Sequence, residues 1–332
     1  MIDTGMAALP AAENAAGKRV LFVASTGGHL AQLNRMAVRM DAAPDSVWLT
    51  FDNEQSRSLL AGREKLLVPY VAPRDLPGVA RTFRVVLDLL GREHFDQVIS
   101  TGAAVAFGAF AAARLRGVPT TYIESVSRIA GPSLTGRLLA GTRLATRLRT
   151  QHSGWATRRW VLHPSVLADF APVPRSEVPP AERPLKIFVT LGTIKPYRFD
   201  ALIDALLATG EMSGDTVWQL GETTRDDLPG TVFTQTTAAE FARYSTEADV
   251  VVTHAGVGTI LELLEKGIHP VVVARERVRD EHVDDHQRQI ADLVDLLGVA
   301  TVAGATRLSA ADLRSASRWA TRALGSSEVT PA

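Results

Sequence analysis

The chain has 332 residues, of which 46% are hydrophobic and none is cysteine, with 36 basic side chains against 36 acidic ones. That length exceeds one ordinary domain and fits two of roughly 150 residues, while so much apolar content excludes global disorder. The missing cysteines exclude a disulfide scaffold, thiolate catalysis and any cysteine zinc site, and suit a reducing cytoplasm. The zero net charge hides an asymmetry: residues 1–180 hold 21 Lys/Arg but 14 Asp/Glu, and Arg114–Arg159 contains nine arginines and one acid, Glu124. That segment reads either as scattered solvated charge or as a face for an anionic partner, membrane headgroups or a lipid diphosphate. No aromatic-interleaved basic motif accompanies it, so nucleic acid is not expected.

Residues 1–17 carry an early acid and neither a basic nor a strongly apolar stretch. They are expected to form a disordered tail rather than a signal peptide. Strands are then predicted at Arg19–Ala24, Val47–Phe51, Leu66–Val71, Gln97–Ser100 and Thr120–Ile123, with helices between them at His29–Met40, Gln55–Ala61, Val79–Leu90, Val105–Arg116 and Ser133–Arg149. The alternation implies βαβ units and a parallel sheet. The apolar run Ala103–Ala113 falls short of the ~18 residues a bilayer demands and reads as a buried helix. Residues 171–184 contain five prolines and no periodicity, so they are expected to link two domains, 18–170 and 185–326. The pattern restarts with strands at Leu185–Thr190, Thr216–Leu220, Val232–Gln235, Val250–Thr253 and Pro270–Ala274. Its helices are predicted at Phe199–Ala208, Ala238–Tyr244, Thr259–Lys266, Asp284–Leu297 and Ala310–Leu324. The expected fold class is α/β, two doubly wound parallel-sheet domains facing a cleft, with ligands at the carboxyl ends of the strands.

Two glycine corners stand out. In "LFVASTGGHLAQL" a strand runs into Gly27 and Gly28 and then a helix with His29 at its start. In "ADVVVTHAGVGTILELLEKG" a buried strand leads through His254 and Gly256 to a helix opening near Gly258. Free amides at such a helix start favour an anion, yet the third glycine of the dinucleotide fingerprint is missing. Tight helix–strand packing explains the second corner as readily as a diphosphate does. Glu262, one turn along, is placed to accept ribose hydroxyls or simply to lie on a solvated face. In "DEHVDDHQRQIADL" four side chains, His282, Asp284, Asp285 and His286, invite a metal, but neighbours on a helix diverge. A loop entering a helix, with His286 and Gln287 in its first turn, is the simpler account. No D-x-D triplet supports a divalent ion on a nucleotide diphosphate.

These residues resemble a known family. "IFVTLGTIKPYRFDALIDAL", "THAGVGTILELLEKG" and "DDHQRQIADL" are similar to the donor-binding half of bacterial exopolysaccharide glycosyltransferases of the family-28-like type. They are also similar to the cytosolic subunit of the eukaryotic dolichol-linked N-acetylglucosaminyltransferase. "VASTGGHLAQL", "VISTGAAVAFG" and "TYIESVSR" resemble the partner subunit of those enzymes, so the chain looks like a fusion with the acceptor half first. Both halves are distantly similar to the N-acetylglucosaminyltransferase that makes lipid II. The resemblance implies a GT-B fold and inverting, metal-independent transfer of a hexose from a UDP-sugar to a polyprenyl-diphosphate-linked sugar, without a cofactor. It implies donor contacts from Gly192, Thr193, His254, Gly256, Gly258, Thr259, Glu262, His286 and Gln287; Lys195 and Arg198 are cations near them in sequence, candidates for the diphosphate by proximity alone.

On the acceptor side Gly27, Gly28 and His29 match the glycine–histidine corner of the lipid II enzyme and of the partner subunit, and Arg128 is a further candidate for acceptor binding. The base that deprotonates the acceptor hydroxyl is expected to be His29, whose ordinary pKa near ~6.5 suits that task, or Glu124 if burial raises its pKa. A capping His29 and a Glu124 paired with Arg128 are the structural alternatives. Beyond "TGRLL", Arg137, Arg143, Arg147, Arg149, Arg158 and Arg159, with Trp155 and Trp160, suggest a basic amphipathic surface. The expected location is therefore cytoplasmic, with peripheral contact at the inner face of an anionic plasma membrane; a homo-oligomer is compatible with the sequence. A UDP-sugar epimerase or hydrolase of the same fold, or a non-catalytic membrane-recruiting scaffold, are the competing functions. The hexose and the acceptor glycan are not readable from sequence.

Overall fold

The structure, a computed structural model, describes residues 13–72, 74–192, 196–281 and 286–324. The chain divides after Ala168 into two units. In the first, β1 (Val20–Ala24), β2 (Val47–Phe51), β3 (Lys65–Val68), β4 (Gln97–Gly102), β5 (Thr120–Ile123), β6 (Arg147–Thr150) and β7 (Trp160–Leu162) form one sheet in the order β3-β2-β1-β4-β5-β6-β7. Every pairing is parallel. The crossovers are α1 (Gly28–Met40), α2 (Glu54–Leu59), α3 (Leu76–Arg92), α4 (Val105–Leu115) and α5 (Leu134–Gly141). Apolar side chains alternate along the strands, so Leu21, Val23, Leu49 and Val98 meet Val86, Leu90, Ala109 and Phe110 of α3 and α4 in one core. Gly108 lets those two helices approach closely, since a Cβ there would overlap the Val79 carbonyl.

The second unit repeats the plan. β9 (Ile187–Thr190), β10 (Val217–Gln219), β11 (Thr231–Phe233), β12 (Val250–His254), β13 (Val271–Val273) and β14 (Thr301–Ala303) pair in the order β11-β10-β9-β12-β13-β14, again all parallel. Its helices are α6 (Asp200–Ala208), α7 (Ala238–Glu247), α8 (Val257–Glu265), α9 (His286–Leu296) and α10 (Ala310–Ala316). Ile187, Val189, Val252 and Val271 pack on Leu202, Leu206 and Leu313. A separate antiparallel ribbon joins β8 (Phe170–Pro174) to β15 (Trp319–Ala323). Two parallel-sheet Rossmann-like domains of this kind constitute the GT-B architecture. Among the described residues no helix is long and apolar enough to cross a membrane, and Ala103–Ala113 lies in or beside the buried α4.

Four local expectations give way to tertiary structure. Residues 13–17, expected as the end of a disordered tail, are packed, with Glu13 and Ala15 fully buried; residues 1–12 lie outside the described residues. The expected linker 171–184 opens as strand β8, part of the second unit, because prolines 172 and 174 are tolerated on a two-stranded ribbon. The helix predicted over Ala310–Leu324 stops at Ala316, and Trp319–Ala323 becomes the strand β15. The helix predicted over Ser133–Arg149 stops at Gly141, Arg143 turns the chain at φ 55°, and Arg147–Thr150 is the strand β6. The basic amphipathic surface is therefore not one helix. Its tryptophans are also engaged: Trp160 is buried in β7, and Trp155 packs edge-on against it while donating from Nε1 to the Arg128 carbonyl.

Candidate functional site

In each sheet the strand order reverses once, between β1 and β4 and between β9 and β12. Ligands of doubly wound sheets sit at the carboxyl ends of the strands at such a point. The helices that follow these four strands, α1, α4, α6 and α8, have no side-chain cap. By contrast α2, α3, α5, α7 and α10 are capped by Asn53, Asp75, Ser133, Thr237 and Ser309. An uncapped N-terminus leaves backbone donors and a positive dipole end for an anion.

In the first unit Gly27, at φ 85°, makes the turn from β1 into α1. Its amide is held by Gln55 Oε1 at 2.5 Å, and its carbonyl accepts from Gln55 Nε2. Ser25 ties this corner to the end of β4, donating from N to the Gly102 carbonyl at 2.8 Å. His29 lies over Gly102, whose φ of 110° and lack of Cβ leave room for the ring. The backbone carbonyl of His29 accepts from Thr101 Oγ1, while its ring Nδ1 is buried with no hydrogen-bond partner. Burial lowers the His29 pKa to about 4, with the positive charge of Arg128 acting in the same direction. The imidazole is thus neutral at neutral pH. The structure brings together Gly27, Gly28, His29 and Arg128 in this way.

Glu124 is placed differently. It is fully buried at the end of β5, and both its oxygens are occupied. Oε1 accepts from the Tyr122 hydroxyl and Ser125 N, both at 3.1 Å; Oε2 accepts from Ser133 N at 2.8 Å and Ser133 Oγ at 2.9 Å. Ser133 in turn caps α5 through Gly136 N, and Gly136 has no room for a Cβ against Glu124. Burial raises the Glu124 pKa. Beside it Gln32 and Gln151, both buried, link α1, the 125–127 turn and β6: Gln32 Oε1 accepts from Val126 N and Gln151 Nε2. Neither glutamine was singled out from sequence, because an amide in a helix and one just past a strand carry no local signature.

In the second unit His254 closes β12 and is buried. Its ring fills the space between Gly192 and Gly256, since a Cβ on either glycine would collide with it, and Gly192 adopts φ 73°. Gly256 begins α8, with Gly258 and Thr259 in the first turn. Glu262 follows Gly258 by four residues and so lies on the same helix face; it is half-buried, 3.8 Å from Lys266 Nζ, and burial raises its pKa. Gln287, buried at the start of α9, accepts from Arg275 N at 3.1 Å through Oε1. Arg198 is not an open cation: its guanidinium is bound to Asp200 and Thr224. Thr193, Lys195, His282, Asp284 and Asp285, and the side chain of His286, lie outside the described residues.

Arg275 escaped sequence analysis. It follows the apolar run of β13 and is 1% exposed, its guanidinium donating to the carbonyls of Leu191, Tyr197, Arg198 and Glu281. It also stacks on Phe199, 4.9 Å from the ring centre. Burial lowers its pKa to about 10. Arg275 therefore braces the residue before Gly192 and the residue before α6 from beneath. The available signal was an arginine just past a valine strand, at the head of the run "RERVR".

Residues 206–315 match the model of the glycosyltransferase family 28 C-terminal domain. The chain is 27% identical over 245 residues to the UDP-N-acetylglucosamine–N-acetylmuramyl-(pentapeptide) pyrophosphoryl-undecaprenol N-acetylglucosamine transferase of Xylella fastidiosa strain Temecula1, covering 68% of this chain and 62% of the relative's length. The protein of the same name from Shewanella baltica strain OS185 is 27% identical over 317 residues, 86% of this chain and 83% of that one. Among solved structures, MurG of Acinetobacter baumannii superposes with a TM-score of 0.54 at 19% identity, over 90% of this chain and 89% of that chain. The likeness to that structure carries the GT-B fold.

Proposed function

We propose that the chain is an inverting, metal-independent hexosyltransferase that moves a sugar from a UDP-sugar to a polyprenyl-diphosphate-linked sugar during cell-surface glycan assembly. The observation that carries this is the pair of uncapped glycine corners at the two switch points, one holding a neutral histidine whose Nδ1 has no hydrogen-bond partner. The family 28 match and the lipid-linked acceptor in the relatives' name support it. In this reading the second unit takes the UDP-sugar. The N-terminus of α8 at Gly256, Gly258 and Thr259 receives the diphosphate, Glu262 the ribose hydroxyls, and His286 and Gln287 the hexose.

The first unit takes the acceptor at Gly27, Gly28 and Arg128. Neutral His29 removes the proton of the acceptor hydroxyl as that oxygen attacks the anomeric carbon and the bond to UDP breaks. Its low intrinsic pKa makes it a weak base until an anion arrives; the acceptor diphosphate, being negative, stabilises the imidazolium. Charge building on the leaving UDP is met by the dipole of α8. Glu124, already bonded by four donors, holds α5 and is not the base. Peripheral contact with the inner face of an anionic membrane brings the enzyme to its lipid acceptor. The resemblance of "DDHQRQIADL" suggests an exopolysaccharide context, while the relatives' name points to a lipid II-type acceptor, and the acceptor panel below distinguishes the two.

The test is to incubate the chain with a panel of UDP-sugars and polyprenyl-diphosphate-linked sugar acceptors, with and without EDTA. Transfer that survives EDTA is expected with at least one pair. Folded protein that transfers with none overturns the proposal, and UDP-sugar turnover without acceptor identifies an epimerase or hydrolase.

A further inference from the structure

Away from the glycine corners, a groove of about 540 Å³ is lined by Arg143, Arg147, Arg149, Arg158 and Arg159, together with Thr146, Leu148 and Val161. Arg143 and Thr146 precede β6 and Arg158 and Arg159 precede β7, so the groove opens at the amino ends of strands whose sheet is parallel throughout. His29 and Gly102 lie at the carboxyl ends of β1 and β4 in that same sheet. The groove is therefore separate from the candidate acceptor corner.

Its charge is not balanced from within. No acidic side chain lines it. The carboxylate beneath it, Glu13, is shared: Oε1 accepts from Arg147 at 2.8 Å and Oε2 from Arg149 Nη2 at 2.8 Å. Glu13 Oε1 also takes Gln97 Nε2 and Thr121 Oγ1, which fixes it against the sheet. Glu13 thereby holds two guanidinium groups in place while cancelling only one of five positive charges. Arg159 donates to the Ala140 carbonyl at the end of α5. Among the described residues Arg143 and Arg158 are exposed and face no carboxylate. Guanidinium forks lining one groove, two of them held by Glu13, match the several oxygens of a phosphate better than a single carboxylate. The volume lies within the range of ligand sites, roughly 300–1,000 Å³. One wall is apolar, with Val161 43% exposed, and α5 exposes Leu134 and Leu138 one turn apart.

We propose that this groove is a binding site for a phosphate-bearing anion, distinct from both substrate corners. Two sources share that chemistry, the headgroup of an anionic phospholipid and a soluble phosphate. Only the lipid arm of the test rests on the membrane reading above. The full chain and its Arg143→Glu/Arg158→Glu variant are compared for sedimentation with phosphatidylglycerol vesicles against phosphatidylcholine vesicles, and for calorimetric binding of inorganic pyrophosphate. UDP affinity is measured alongside as a readout of the second unit.

The wild type is expected to bind at least one probe, and the variant to bind it at least about tenfold more weakly with unchanged UDP affinity. Vesicle binding alone assigns the lipid headgroup, and pyrophosphate binding at the groove alone assigns the soluble anion. Binding should weaken with added salt yet stay constant with pH across the neutral range, because arginine does not titrate there. A wild type that binds neither probe overturns the proposal, as does a folded variant that binds both as tightly as the wild type. UDP affinity lost in wild type and variant alike counts against the transferase reading and leaves the groove unaffected.

Discussion

Replacing Glu124 by glutamine separates a structural carboxylate from a catalytic one. The native oxygens accept four hydrogen bonds, from the Tyr122 hydroxyl, Ser125 N, Ser133 N and Ser133 Oγ, at 2.8 to 3.1 Å. An amide keeps one acceptor oxygen and turns an NH₂ toward the other pair. The hydroxyl of that pair can rotate and accept, but its backbone N–H cannot. Whichever way the amide is oriented, one buried backbone donor is stranded, at about 1–3 kcal/mol, and charge-assisted bonds become neutral ones at roughly another 1 kcal/mol. Relief of the desolvation felt by the buried carboxylate offsets part of this, leaving an expected loss of about 2–3 kcal/mol.

Urea denaturation measures that loss, and kcat well below the unfolding transition measures function. Glu124→Gln should be destabilised while its folded fraction transfers sugar within a few-fold of the wild type. His29→Gln should be as stable as the wild type, because Nδ1 has no partner to lose, yet about 10²–10⁴-fold slower in kcat. A stable but inactive Glu124→Gln beside an active His29→Gln would refute the reasoning and make Glu124 the base.

Gly256→Ala should drive the His254 ring out of place and weaken UDP binding about tenfold or more by calorimetry; Gly214→Ala, where the added Cβ meets open space, is the control that should change nothing. His163 and His269 are both buried and held at about 4, against an ordinary 6.5. The unfolded chain takes up these protons first as pH falls, so each unit should lose stability progressively from about pH 6.5 toward 4, about 2 kcal/mol per histidine by about pH 5. Urea midpoints across that range check this, and they should flatten in His163→Gln and His269→Gln. Glu13→Gln leaves Arg147 and Arg149, neighbours on one face of β6, without their shared carboxylate and should lower stability by roughly 2–4 kcal/mol, less than a fully buried pair because Arg147 reaches solvent; an unchanged denaturation midpoint would count against it.

What the sequence determined by itself was whatever short range decides. Strand, glycine turn and helix are neighbours along the chain, so the corners at Gly27–His29 and His254–Gly258, the alternation of β and α, and the duplicated plan were all legible. The burial of α4 was legible too, because its alanine-rich composition leaves no other option. Tertiary structure decided what depends on partners far away in the chain. Arg147–Thr150 alternates arginine with Leu148 and Thr150 and reads as a basic helix until β5 and β7 pair with it. Trp319–Ala323 becomes a strand only because β8 lies opposite.

Glu13 looked like part of a solvated tail because the arginines that hold it lie 134 and 136 residues away. The difference between His29 and Glu124 is of the same origin. Both are titratable groups beside a strand end. Only the folded surroundings leave one with an orphaned nitrogen and give the other four donors. Local periodicity specifies elements, whereas burial and hydrogen-bond satisfaction are properties of the assembled sheet, and those set the two residues apart.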